Sequence, residues 1–204
     1  MIAQPPPPSK RWITRPIPDS VSQRSAITSL QQSLNISPFL AALLVQRGVS
    51  TYEEAKAFFR PEISHLHDPF AMKDMDRAIM RLQMAMLPER QEKILIYGDY
   101  DVDGTTSVAL VYSFLKNYHA EIDYYIPDRY KEGYGISTEG IAWAAANGFS
   151  LIIALDCGIK SIDRVAEANE LGIDFIICDH HRPGDTLPNA AAVLDPKPDD
   201  FTYP

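Results

Sequence analysis

After Pro88 the sequence falls into short apolar runs separated by helix-patterned stretches, and this rhythm restricts the fold more than any other feature. Ile94-Leu95-Ile96-Tyr97 reads as a strand, followed by a turn and a helical stretch over about 105–118. Residues 122–126 read as a second strand, 137–147 as a helix stopped by Gly148, and 151–155 as a third strand. A helix over 161–171 is stopped by Gly172, and strands follow at 175–178 and 191–194. Strands alternating with helices predict an α/β fold, a doubly wound and mainly parallel sheet of about five strands. Such sheets bind ligands in the crevice beyond the carboxyl ends of their strands.

The chain ahead of this region has a different pattern. Residues 1–18 are expected to form a flexible, proline-rich lead, extended at the prolines of 5–8. Residues 19–88 predict a small helical N-terminal segment. Leu40, Leu43, Leu44 and Val45 mark one apolar face, and Gly48 is placed to end that helix. Ser50 or Thr51 would cap the next helix, with Glu53 and Glu54 in its first turn and Ala55, Phe58 and Phe59 on a buried face. Met72, Met75, Ile79, Leu82, Met84 and Met86 suggest a further helix whose methionines fill core space. The organisation expected is therefore 1–18, 19–88 and 89–204.

Composition narrows the chemistry. No apolar run approaches the roughly 18 residues of a membrane span, and the N-terminus lacks the apolar stretch of a secretion signal. Two cysteines, Cys157 and Cys178, are too few for a disulfide framework and read as reduced core thiols of a cytoplasmic protein. A net charge of −8 argues against nucleic-acid binding through a broad basic surface. It does not argue against a nuclease, because acidic metal ligands lower the formal charge.

The residues that follow the strands carry the functional signal. Gly98-Asp99-Tyr100-Asp101-Val102-Asp103-Gly104 follows the first, Asp156-Cys157-Gly158 the third, and Asp179-His180-His181 the fourth. A lone Asp after a strand is usually a turn residue or helix cap. Adjacent histidines are often surface residues, and alternate acids are often a solvated loop. All three readings would have to hold at one edge of one sheet. A mixed Asp/His set there fits manganese, with magnesium as the alternative.

Two other signatures overlap the acidic loop. Asp99, Asp101, Asp103 and Gly104 imitate half of a calcium-binding EF-hand loop, but its twelfth position is Leu110, not glutamate, and a strand precedes it. Asp101-Val102-Asp103-Gly104-Thr105 also resembles the nucleophile loop of haloacid-dehalogenase-type phosphatases, with Asp101 attacking phosphorus and Asp103 as general acid. That fold sets its first Asp directly at the strand end, and it leaves Asp179-His180-His181 without work.

Taken together, the three post-strand motifs resemble motifs one to three of the DHH phosphoesterase superfamily, and within it the RecJ single-strand-specific exonucleases. The resemblance extends to residues 43–48, Glu53-Glu54-Ala55, Phe58-Phe59, Pro127-Asp128-Arg129 and Gly133-Tyr134-Gly135. It implies Asp101, Asp103, Asp156 and His180 as ligands of two divalent ions, with Asp156 bridging. Asp99 and His181 would serve catalysis at the edge of the site, and Arg129 would contact the substrate phosphate. A cation pair about 3.5–4 Å apart acidifies a water for in-line attack, with no covalent intermediate. The helix beginning near Thr105 would turn its free N–H groups toward the same loop.

The resemblance further implies digestion of single-stranded DNA from the 5′ end in repair or recombination. A monomer is expected, recruited by a single-strand-binding protein and independent of membranes. A phosphoesterase of the same superfamily acting on small molecules or short oligonucleotides is the alternative. The family's fourth motif, a further aspartate ligand, is not identifiable; Asp195, Asp199 and Asp200 lie in a proline-broken tail. Residues 1–204 are therefore expected to be an N-terminal piece that folds but binds metal weakly and has little activity alone.

Overall fold

A computed structural model of the protein describes residue 13, residues 16–197 and residue 203. Most of the expected proline-rich lead lies outside these residues, as do Asp199 and Asp200. The chain divides into two compact units, Met1–Leu66 and His67–Pro204.

In the first unit, short polar signals fix three helices. The Ser20 hydroxyl and the Gln23 side chain exchange hydrogen bonds with each other's backbone and start α1 (Val21–Leu34). Ser37 caps α2 (Pro38–Gln46), whose Pro38 needs no hydrogen-bonded N–H at that position. Gly48, at φ +83°, turns the chain out of it. Thr51 and Glu54 form a second reciprocal cap on α3 (Tyr52–Phe59). Leu30, Ala41, Leu44, Val45, Val49 and Ala55 form the buried core. Phe58 and Phe59 depart from the expected buried face. They are 54% and 62% exposed and line an open groove of about 390 Å³ with Leu40 and Leu43. With only eight residues, α3 offers its core one buried position, Ala55, and its last turn runs past it.

The second unit holds the sheet. Strands β1 (Lys93–Gly98), β2 (Ile122–Tyr125), β3 (Phe149–Leu155), β4 (Asp174–Cys178) and β5 (Ala192–Leu194) are all parallel, in the order β2-β1-β3-β4-β5. Helices α4 (Met75–Ala85), α5 (Val102–Leu115), α6 (Thr138–Ala146) and α7 (Ile162–Glu170) cover it. Alternation along the strands sorts the side chains. Ile94, Ile96, Leu151, Ile153 and Ile176 pack on α4 and α5, while Leu95, Tyr97, Ile152, Phe175 and Ile177 pack on α6 and α7. Each such side chain contributes about 1.5–3 kcal/mol on burial.

Two expectations change here. The boundary set at 88/89 separates α4 from its own core, because Ala78 and Ala85 pack on the sheet and the compact unit begins at His67. An amphipathic pattern shows that a helix has an apolar face, not which body receives it. Asp74, at the start of α4, accepts the Val193 N–H at 3.2 Å and so ties the helix to β5. Met72 lies outside the helix, and Met84 is 38% exposed, so the methionines named for that helix are not uniformly core.

Candidate metal centre

The close packing at the end of β1 depends on two glycines. A Cβ on Gly98 would lie 2.3 Å from Val108 Cγ2, and one on Gly104 would lie 2.3 Å from the Asp99 carbonyl oxygen. With both absent, α5 begins almost directly against the strand end. It starts at Val102, earlier than expected, because Asp101 Oδ1 accepts the Gly104 N–H at 3.0 Å and caps it. Asp101 thus stands at the helix N-terminus with Asp103 on the first turn.

Asp156 follows β3 at φ +61°, a left-handed conformation that Asp tolerates better than most residues. Its buried carboxylate meets His180 Nε2 at 2.9 Å. One ligand atom each from Asp156, His180 and His181 lie within 4.8 Å of one another. Asp103, Asp156 and His180 also line one cavity of about 630 Å³, with Thr106 and Ser107 from α5 and Met72 and Met75 from the α4 side. Burial raises the Asp156 carboxyl above its usual range and the Asp101 charge raises it further, with His180 opposing. A cation would relieve both causes.

Asp179 is held differently. Its Oδ1 accepts the N–H groups of His180 and His181 and the His181 ring Nδ1, at 2.7, 3.0 and 2.7 Å. Its Oδ2 accepts the Ile159 N–H at 3.0 Å. Burial alone would raise this carboxyl, but the surrounding N–H donors outweigh it and hold it below its ordinary value. Asp179 therefore builds the loop that presents the two imidazoles.

Asp99 is fully buried, with Oδ1 facing the Gly135 N–H at 3.4 Å and Oδ2 without a partner among the described residues. Arg129 is not among the residues lining the cavity; its guanidinium lies 5.2 Å from the Tyr100 ring centre. The structure thus brings Asp103, Asp156, His180 and His181 together, with Asp101 within electrostatic reach of Asp156.

Tyr134, given no role by the sequence beyond its place in the family-like stretch, also stands beside the histidines. The Tyr97 hydroxyl donates to the Gly135 carbonyl at 3.1 Å and accepts the Ser137 N–H at 3.0 Å. Glu132 accepts from the Tyr125 and Ser137 hydroxyls at 2.8 and 2.6 Å. These bonds fix the segment so that the Tyr134 hydroxyl lies 3.2 Å from His181 Nε2. Burial and the charges of Asp99, Asp156 and Asp179 push its phenol up.

The donor set suits a hard or borderline divalent cation, with carboxylate and imidazole groups converging and a buried carboxylate oxygen left over. Comparison with known proteins agrees. A model of the DHH family, N-terminal domain, matches residues 93–202. The single-stranded-DNA-specific exonuclease RecJ of Bacillus subtilis strain 168 is 45% identical over 195 residues, 95% of this chain and 24% of that protein. A crystal structure of exonuclease RecJ bound to manganese superposes with a TM-score of 0.58 at 31% identity, covering 64% of this chain and 33% of that one. RecJ from Thermus thermophilus in complex with Mn2+ gives 0.62 at 26% identity, covering 86% and 24%. The chain spans about a quarter to a third of the length of these relatives.

Proposed function

Since the chain belongs to the DHH family, we propose that it supplies the cation site of a single-stranded-DNA exonuclease working 5′ to 3′ in repair and recombination. The observation that carries this is the convergence of Asp156, His180 and His181 within 4.8 Å at the carboxyl edge of the sheet. The manganese in both similar solved structures supports Mn2+, with Mg2+ as the alternative. Divalent cations held there would supply an acidified water for in-line attack and positive charge against the scissile phosphate.

The residues divide the work. Asp101, Asp103, Asp156 and His180 would hold the cations, with Asp156 the carboxylate nearest His180. Asp99 supports the site from β1, and His181, held by Asp179 and Tyr134, meets the phosphate. Arg129, stacked on Tyr100, contacts a phosphate of the strand. The free N–H groups at the start of α5 favour the same anion. The reading carries with it a cytoplasmic monomer recruited by a single-strand-binding protein. Among the described residues no helix is long and apolar enough to cross a membrane.

The test is manganese-dependent digestion of labelled single-stranded DNA by the full protein, with Asp156→Ala alongside. Short 5′-labelled products lost in the variant support the reading. Equal digestion by both proteins removes Asp156 from the mechanism. Cleavage of dinucleotides without attack on longer strands would move the protein to the small-substrate branch of the superfamily.

A further inference from the structure

Four adjacent strands end in register, Gly98 opposite Leu155, Leu155 opposite Cys178, and Cys178 opposite Leu194. An aspartate follows each of them: Asp99, Asp156, Asp179 and Asp195. The ladder continues one step into this row, because the Asp156 N–H donates to the Cys178 carbonyl at 2.9 Å and the Asp179 N–H to Leu194 at 3.0 Å. Asp195 is therefore the fourth carboxylate of the edge on which the metal centre is built, not part of a loose tail.

Its side chain is fully buried, yet only half of its hydrogen-bonding capacity is used. Oδ1 accepts the Lys197 N–H at 2.8 Å, whereas among the described residues Oδ2 has no partner. A buried carboxylate oxygen without a donor is destabilising unless something supplies one. The flanking residues Leu194 and Pro196 line the same cavity as His180, Asp156 and Asp103. His180 has an unused ring nitrogen to match. Its Nε2 faces Asp156, and among the described residues no hydrogen bond engages its Nδ1. A histidine that ligates a metal through one ring nitrogen almost always donates from the other to a carboxylate, carbonyl or water.

We propose that Asp195 is a positioning residue of the cation site, its free oxygen accepting the Nδ1–H of His180 when Nε2 engages a cation. The inference rests on the cation-site reading above and adds a residue to it. Its electrostatic setting is consistent. Burial raises the Asp195 carboxyl and the Asp179 charge raises it further, while Lys197 and His180 oppose. A carboxylate in that setting gains from a positive charge brought to His180.

The experiment is titration of the purified protein with Mn2+, followed by the electron paramagnetic resonance of the free ion, alongside metal-free thermal melts. Asp195→Asn keeps the shape and the oxygen that accepts from Lys197. Asp195→Ser still offers an acceptor to the same N–H, so a folding defect in one variant does not end the test. Mn2+ affinity about 10–100-fold weaker, with the metal-free melting temperature unchanged or higher, is expected. Affinity within about twofold of wild type overturns the proposal, as does weaker binding that only follows a loss of metal-free stability. Asp156→Asn is the control. If it also leaves Mn2+ binding intact, the cation reading itself fails; if it alone abolishes binding, only the role of Asp195 is lost.

Discussion

At the amino end of the sheet, Arg81 reaches from α4 between two acids, 2.6 Å from Glu92 and 2.6 Å from Asp174, while Ser150 adds a 2.7 Å bond to Glu92. At the carboxyl end, Asp99, Asp156, Asp179 and Asp195 stand side by side, and among the described residues no ion pair joins any of them to a lysine or arginine. Their partners are backbone N–H groups and imidazoles, and among the described residues two buried oxygens have none. Both ends are acidic, but among the described residues only the amino end is bridged by an arginine. Burial opposes the Arg81 charge, yet its two acidic partners outweigh burial and raise its pKa, whereas Asp156 is raised by burial and by a neighbouring acid. An acidic cluster completed by arginine is architecture. One left short of positive charge, around converging ligand atoms, is arranged for a cation from outside.

The largest effect expected from breaking this contrast is at the amino end. Arg81→Met leaves Glu92 and Asp174 beside an apolar stem, and should cost about 3 kcal/mol in urea unfolding, the low end for a broken buried pair because Asp174 is half exposed. Mn2+ affinity of the folded variant should be unchanged. A matching loss of affinity would join the two ends functionally and blur the distinction.

Asp156→Asn should act the other way. Asn tolerates the left-handed backbone at φ +61°, so the fold persists. Calorimetric titration should show Mn2+ binding weakened by about 100-fold, roughly 2.7 kcal/mol. The metal-free melting temperature should not fall, because a carboxyl raised by burial is unfavourable as an anion at neutral pH. Gly104→Ala should destabilise by about 2 kcal/mol in the same unfolding assay, since its Cβ meets Asp99 backbone atoms at 2.3–2.7 Å. An unchanged unfolding midpoint would mean that α5 is not held tightly against β1.

Asp179→Asn is the mildest of the four, about 1–1.5 kcal/mol. An amide cannot accept at both of the oxygens that Ile159 and the His180–His181 backbone now use. Its pH dependence has a definite sign. The folded carboxyl lies below its ordinary 3.8, so its contribution is complete above the unfolded value of about 3.9 and disappears as pH falls through the folded one. The stability gap between wild type and variant should therefore be flat from neutral pH to about 5 and close below about 4. A gap that widened toward acid would contradict the hydrogen-bond account.

Most of this architecture is legible in the sequence because parallel strands are short apolar runs and their trailing residues are polar. Asp156 and the His180–His181 pair could be assigned to one edge by that rule alone. What escaped notice has specific causes. Asp195 follows a strand of three residues and precedes a proline, so the motif read as tail although the register continues to it. Tyr134 sits between two glycines, and its position depends on a buried network through Tyr97 and Glu132 that has no linear signature. The docking of α4 and the exposure of Phe58 and Phe59 are tertiary outcomes, since periodicity describes a face without naming what covers it.

The most direct test is anomalous diffraction at the manganese edge from crystals of the protein grown with Mn2+. Peaks are predicted at the carboxyl end of the sheet, in contact with Asp156 and His180, and none beside Arg81. Crystals saturated with Mn2+ that show no peak within reach of Asp156 and His180 would contradict the account.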